Sequence, residues 1–336
     1  MTKTNESKAD IKLRFLRIMD ILNTYSDEDS PLTANDIISK LESQYNIICD
    51  RKTIYSAIDS LEEYGLDIVK SSSPKGYFIG SREFELPEVR LLIDAVQSAN
   101  FISSKKTKVL LNKLSKLTSI NQFKKLEKQV HIDARNKTTN ENLFYVIDAL
   151  DNAISSNLKV SVLYRRRNIS VDKKTHFEEK TYTLSPYCLI WYDDHYYLVA
   201  NNEKYDNLMH LRIDRIKSVV ILEEKTRHYS EVSQYKTKFN AADYSNKHLS
   251  MFSGESRPID LICKSSIIEE VLDKFGEKIS LQPIDDEIFS ARVYAAVNQG
   301  LVNWIIQYGD SIKVKSPTEL VEMIKDKADK IINTYR

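Results

Sequence analysis

The run LSPYCLIWYDDHYYLVANN at residues 184–202, followed by LMHLRIDRIKSV at 208–219, decides how this chain is to be read. Apolar and aromatic residues alternate through it with a period of two, the period of a strand whose two faces meet different surroundings. Asp193-Asp194 interrupts the run between two aromatic-rich pieces, where an acidic pair suits a tight hairpin turn. LKVSVLY (158–164) upstream and IKSVVIL (216–222) downstream share the alternation. Five short strands, preceded by a helix carrying Leu143, Val146, Ile147 and Leu150, predict a small SH3- or Sm-like β-barrel, because closure removes exposed sheet edges.

Towards the N-terminus the period becomes helical. Ile11, Phe15, Ile18, Met19 and Leu22 recur at steps of three and four. A second helix starts at Thr33, with Asp36 placed for a capping box and Ile37, Ile38 and Leu41 as its inner stripe. Asp50 can cap a third helix whose inner face is Ile54, Ala57, Ile58 and Leu61, and Gly65 sits where a helix ends. DIVKS (67–71) and GYFIG (76–80) then form a hairpin. Three helices and a two-stranded wing outline a winged helix-turn-helix over residues 1–80. With the apolar stripe turned inward, Arg51, Lys52, Tyr55, Ser56 and Asp59 point out, Thr53 lies at the boundary, and Lys70 and Lys75 stand on the wing. Arg and Lys at the start of such a helix suit phosphates and guanine edges, and hydroxyls suit backbone oxygens. Taken alone, Arg51 and Lys52 are equally well explained as a solvated helix start.

Residues 81–140 form a helical bridge, with Leu91, Leu92, Ala95 and Val96 and then Val109, Leu110, Leu114 and Leu117 at helical spacing. Residues 105–137 hold ten Lys/Arg against two acids, while residues 1–80 hold ten against thirteen. A charge run on a helix is usually a solvated face; the alternative is a segment that joins domains, builds a dimer and touches DNA. QVHIDARNKTTNEN (129–142) reads as a polar linker. After the barrel at 141–225, residues 226–336 run strand, helix, two strands, helix, strand and a final helix opened by Pro317, the order of a ferredoxin-like α/β unit with one helix appended.

At 336 residues the chain is too long for one core. Its three cysteines lie far apart, which fits a reducing compartment and offers no zinc site. No apolar run approaches a membrane span, the first ten residues lack a signal-peptide core, and a cytoplasmic protein is expected. Scattered histidines and only seven glycines leave no catalytic constellation, metal site or cofactor loop, so a non-enzyme is expected.

Two stretches carry a resemblance. TANDIISKLESQYNIICDRKTIYSAIDSLEEYGLDI (33–68) resembles the DeoR-like winged helix-turn-helix found ahead of WYL domains. The opening run resembles the WYL domain itself: Pro186, Arg212, Asp214, Arg215 and Ile216 match, Tyr196-Tyr197-Leu198 stands where Trp-Tyr-Leu is usual, and His210-Leu211 stands where Arg and Phe are frequent. LVNWIIQYGDSIKVKSPTEL (301–320) resembles the WCX extension that follows WYL domains. The resemblance implies a transcription regulator that acts as a homodimer on a palindromic double-stranded DNA operator; a repressor is expected, and the residues themselves leave activation open. It also implies a regulatory site for a nucleotide or oligonucleotide. Tyr164, Arg165, Tyr187, Tyr196, His210, Arg212 and Arg215 supply the flat faces and charge for that site, with Tyr197 a further flat face. Strand alternation puts Tyr196 and Tyr197 on opposite faces, so one of them belongs to the core, and Asp214 beside Arg215 can form an ion pair within the turn. The alternative function is a nucleic-acid-binding accessory protein that modulates a partner enzyme.

Overall fold

The computed structural model describes residues 8–127, 137–170, 175–236, 239–241, 243, 244 and 254–336, with side chains from residue 13 onward. The chain divides into two compact units, residues 1–139 and 140–336.

The first unit opens with α1 (Lys8–Tyr25), α2 (Ala34–Tyr45), α3 (Arg51–Glu63) and the antiparallel hairpin β1 (Ile68–Ser72) and β2 (Lys75–Ile79). Local chemistry sets these boundaries. The capping box of α2 is present: Thr33 Oγ1 accepts from the Asp36 amide, and the Asp36 carboxylate accepts from the Thr33 amide at 2.8 Å. Asp50 caps α3, accepting from the Thr53 amide at 2.8 Å. Asn46 ends α2 in the left-handed region at φ 55°, and Gly65 follows α3 at φ 105°. Ile54, Ala57, Ile58 and Leu61 are all buried and meet Ile18, Ile21, Leu22, Ile37 and Leu41 in one core closed by Ile68 and Ile79 of the hairpin. Each such side chain removed from water contributes about 1.5–3 kcal/mol, so this stripe holds α3 against α1 and α2.

The bridge is helical as expected, in α4 (Leu86–Ser98), α5 (Ser104–Leu114) and α6 (Ile120–Glu127), but the phase of its buried stripe is not. Val89 and Ile93 of α4 and Leu111 of α5 are buried, whereas Leu91 is 71% and Leu92 37% exposed, and Val109 also faces out. The α4 sequence carries apolar residues on two sides, and only packing against α5 and α6 selects between them. The linker expectation for residues 129–142 falls largely on 129–136, outside the described residues.

In the second unit α7 (Leu143–Ser156) lays Leu143, Val146, Leu150 and Ala153 into the core. It precedes β3 (Leu158–Ile169), β4 (Thr175–Tyr192), β5 (His195–Asn201), β6 (Leu208–Arg212) and β7 (Ile216–Lys225). All pairings are antiparallel, in the order β6-β5-β4-β3-β7. The 3-10 turn Ile213–Arg215 links the two end strands, and no ladder joins β6 to β7 among the described residues. Asp193 and Asp194 form the β4–β5 turn, both with positive φ (48° and 54°), as a tight hairpin requires. A short helix, α8 (Tyr229–Val232), follows.

The C-terminal part comprises β8 (Ser256–Lys264), α9 (Ile268–Phe275), β9 (Ser280–Pro283), β10 (Ile288–Ala296), α10 (Gln299–Gln307), β11 (Ile312–Ser316) and α11 (Thr318–Thr334). Its antiparallel sheet runs β11-β8-β10-β9. Phe289, Ala291, Val293 and Ala295 alternate into a core shared with Ile259, Leu261, Leu301 and Ile305. Trp304 packs against that core, edge-on to Phe275 at 5.1 Å.

Candidate functional site

Two surfaces follow from these elements. The first lies on the N-terminal unit. Once Ile54, Ala57, Ile58 and Leu61 are buried, the helical period leaves Arg51, Lys52, Tyr55 and Ser56 exposed, with Thr53 half-buried and bonded back to Asp50. Lys70 and Lys75 are exposed on the hairpin. A groove between α3, the start of α2 and the wing brings Arg51, Tyr55, Lys70 and Lys75 onto one surface. Arg51 is aimed there by Asn35, whose Oδ1 accepts from the Arg51 Nε at 2.8 Å. Tyr55 leans on Tyr77 of the wing with ring centroids 6.4 Å apart, and the Lys70 ammonium stands over the same Tyr77 ring. Asp59 and Glu62 also line this groove, so its positive potential is confined to the end formed by Arg51 and the wing lysines.

The wing is held close by a feature the sequence pattern did not reveal. Leu32, in the loop before α2, exchanges both backbone hydrogen bonds with Tyr77 (2.9 and 2.8 Å) and so adds a third extended segment to the hairpin. A Cβ on Gly76 would lie 2.8 Å from the Leu32 carbonyl, so only glycine fits.

The second surface lies on the β4–β6 part of the sheet. The register pairs Ile190 with Tyr197 and Tyr197 with Arg212, and pairs Cys188 with Val199 and Val199 with His210, so these side chains share one face. Tyr196 pairs with Trp191 and stands on the other face. The seven residues expected to form one site are therefore not brought together. Tyr164 is only 4% exposed, with its ring edge-on to Tyr182 at 6.3 Å, and belongs to the core; the strand alternation that makes Arg165 accessible is what buries it. Arg165 stacks over Phe177 at 4.5 Å. Tyr187 donates its hydroxyl to the Arg227 carbonyl at 2.8 Å and stacks on Phe239 (6.2 Å, 24°), and burial pushes its phenol up to about 12. His210 shares a 2.8 Å hydrogen bond with the buried Tyr244 hydroxyl. Tyr187 is thus covered by Tyr229 and Phe239 and His210 by Tyr244, and Val232 and Tyr235 join them on this face.

Arg212 and Arg215 remain accessible, with Tyr197 beside them. Asp214 pairs with Arg212 rather than Arg215: Arg212 donates from Nε at 3.0 Å and from Nη2 at 2.8 Å, a two-pronged grip that fixes the guanidinium plane. Arg215 is exposed, with no ion pair among the described residues. Burial raises the Tyr197 phenol above its ordinary range, and Arg212 opposes that shift, which places its charge near the ring. Of the two adjacent tyrosines expected to offer flat faces, Tyr197 is the one beside the arginine, because it pairs directly with Arg212 across the β5–β6 ladder. Beside the covering segment lies a cavity of about 420 Å³, lined by Leu208, Val232, Tyr235, Tyr244 and Ser256, with the Ser256 hydroxyl buried and unpartnered.

Among the described residues no group of three or more His, Cys, Asp or Glu could hold a metal ion, and no helix is long and apolar enough to cross a membrane.

Residues 145–221 match the family model of the WYL domain, and residues 258–332 match that of the WCX domain. The chain thus has an N-terminal helical region, a central β-rich WYL-like domain and a C-terminal α/β WCX domain. Among solved structures it is similar to Proteasome accessory factor B/C (PafBC) of Arthrobacter aurescens, at 15% identity over 96% of this chain and 49% of that one, with a TM-score of 0.28. The chain spans about half the length of that structure, and a score this low does not establish a shared arrangement. No curated protein matches.

Proposed function

We propose that this protein is a DNA-binding transcription regulator, a repressor, whose operator affinity is set by a nucleotide or single-stranded nucleic-acid effector at the WYL-like domain. The observation that carries the reading is the convergence of Arg51, Tyr55, Lys70 and Lys75 on one exposed groove beside a helix whose inner face is fully apolar. That is the chemistry of a winged helix-turn-helix: α3 enters the major groove, Arg51 and Lys52 reach phosphates or guanine edges, Thr53 and Ser56 meet backbone oxygens, and the wing lysines hold the flanking strand. Two protomers on a palindrome would place their α3 helices about 34–36 Å apart, one helical turn of DNA.

In the WYL-like domain the proposed effector contacts are Arg212, Arg215 and Tyr197. An arginine held in plane by a carboxylate offers its remaining donors to a phosphate, and an adjacent tyrosine offers a stacking face. The effector shifts DNA affinity by the difference in its own affinity for the two states of the chain. No catalytic role is proposed. A small barrel is supported by the strand order and the 3-10 turn between β6 and β7. A ferredoxin-like WCX unit is supported by the order strand-helix-strand-strand-helix-strand and by the sheet order β11-β8-β10-β9.

The test is an anisotropy titration of the full chain against duplex from its own upstream region, with scrambled duplex and single strands as competitors. Sequence-dependent duplex binding supports the regulator. Binding to single strands alone supports the second reading, a nucleic-acid-binding accessory to a partner enzyme, which the half-buried Arg212–Tyr197 pair and the exposed Arg215 would serve without α3.

A further inference from the structure

From Ser104 to Leu126 the chain carries seven lysines and no aspartate or glutamate, in a protein whose charges otherwise balance at 49 basic to 48 acidic. Solvated helices usually mix signs and pair them along one face. Helices α4 and α11 do so, as in Arg90–Asp94, Lys325–Glu322 and Lys330–Asp326. On α5, the following 3-10 turn and α6, by contrast, Lys105, Lys108, Lys113, Lys116 and Lys124 are exposed with no carboxylate partner among the described residues. Thr107 and Leu111 take the inner side of α5, which leaves Lys105, Lys108 and Lys113 to its outer side.

This basic surface is fastened to the winged part of the same unit. The Ser119 hydroxyl, just before α6, donates to the buried Asp27 carboxylate, and Lys125 pairs with Asp29 at 2.5 Å. Ser26 in the same loop accepts from the Ile79 amide at 3.3 Å and, through its carbonyl, from Arg82 Nη2 at 2.9 Å. The loop after α1 therefore ties α6 to the end of the wing. The helices that carry the lysines are anchored by the buried Ser119–Asp27 bond and by the packing of Leu111 and Leu126 with Val89 and Ile93.

We propose that α5 and α6 form a second nucleic-acid surface that binds duplex phosphates without reading sequence. The partner follows from the residue types. Lysine is a point charge that suits phosphate but neither stacks on bases nor reads a base edge in two-pronged fashion. The one aromatic of the stretch, Phe123, is packed into the helical core and offers no stacking platform for single strands. Lys105 to Lys113 spans about 12 Å of helix, a length over which duplex DNA presents several phosphates. The inference shares its partner with the proposed function but uses residues on other elements, so the two can fail separately.

The test measures the salt dependence of binding of the full chain to a scrambled duplex and to duplex from its own upstream region. Four proteins are compared: the parent, Lys105→Gln/Lys108→Gln/Lys113→Gln, the corresponding Lys→Arg triple, and Arg51→Ala/Lys70→Ala/Lys75→Ala. Glutamine keeps helix propensity and removes charge. The Gln triple should shallow the log K against log salt slope by about 2–3, at about one for each phosphate no longer neutralised, equally on both duplexes, and the Arg triple should restore it. The Arg51/Lys70/Lys75 variant should lose sequence preference and keep salt-dependent binding to scrambled duplex. A Gln triple with the parent's slope and affinity overturns the second surface, whatever the wing variant does. A wing variant with full sequence preference overturns the winged-helix reading and leaves this surface standing. A parent that binds anionic vesicles or polyglutamate partners but no duplex overturns both. Should the Gln triple unfold, Lys116→Gln/Lys124→Gln carries the same expectation with a slope change of about 2.

Discussion

Leu32 and Tyr77, forty-five positions apart, exchange both of their backbone hydrogen bonds, at 2.9 and 2.8 Å. The loop between α1 and α2 thereby becomes part of the wing, and the groove that holds Lys70 and Lys75 takes its shape from a contact across the domain.

Gly76 is where this contact can be broken by one methyl group. Gly76→Ala should lower stability by about 1–3 kcal/mol, the usual cost of forcing an extra carbon into a closed space. A urea titration reads the loss. Duplex affinity should fall with it, since the wing must move away from α3; an alanine variant with the parent's midpoint would mean the loop can yield.

Arg51 faces solvent and contributes nothing to the core, so Arg51→Ala should leave the thermal midpoint unchanged. If it reads a base edge, duplex affinity should drop by about 1–3 kcal/mol with relaxed sequence preference; if it meets only phosphate, affinity should fall alike on all sequences. Asn35→Ala separates aim from charge. It frees the Arg51 guanidinium while retaining it, and should weaken preference more than affinity. Unchanged binding by Arg51→Ala at moderate salt would remove α3 from the interface.

Asp50 gives the N-terminal unit a pH dependence. The Thr53 hydroxyl and then its amide hold the Asp50 carboxyl below its ordinary value. The folded state therefore favours the anion, and its stabilisation is complete above the usual carboxylate range and lost as pH falls through it. Asp50→Asn caps a helix about as well without titrating. The thermal midpoint of the parent should fall more steeply than that of Asp50→Asn on acidification, and parallel curves would show that the cap carries no pH dependence.

Arg212→Ala should abolish the response of duplex binding to single-stranded oligonucleotides while leaving duplex binding itself intact. Asp214→Asn is the control. It weakens the grip on Arg212 and should cost about 1–3 kcal/mol of stability. If Arg212→Ala lowers the midpoint as far as Asp214→Asn does and the oligonucleotide response survives, Arg212 is structural and the effector surface lies elsewhere.

Much of the fold was legible because its determinants are local. The period of two at 184–202, the Asp193-Asp194 turn, the Thr33 and Asp50 caps and the stripe Ile54, Ala57, Ile58, Leu61 each act within a few residues, and the structure has every one of them. The α4 stripe was not legible, because apolar residues on two sides of a helix allow two phases and neighbours choose between them. The same limit applies to the residues expected to meet an effector. Local alternation puts Tyr187, Tyr196, His210 and Arg212 on strands, with adjacent residues on opposite faces. Long-range packing places Tyr229, Phe239 and Tyr244 over Tyr187 and His210, puts Tyr164 in the core and brings Tyr197 and Arg212 together across one ladder. Alternation is a property of one strand and can be counted along the chain; which face is covered depends on a segment arriving from elsewhere in the sequence, which no local pattern encodes.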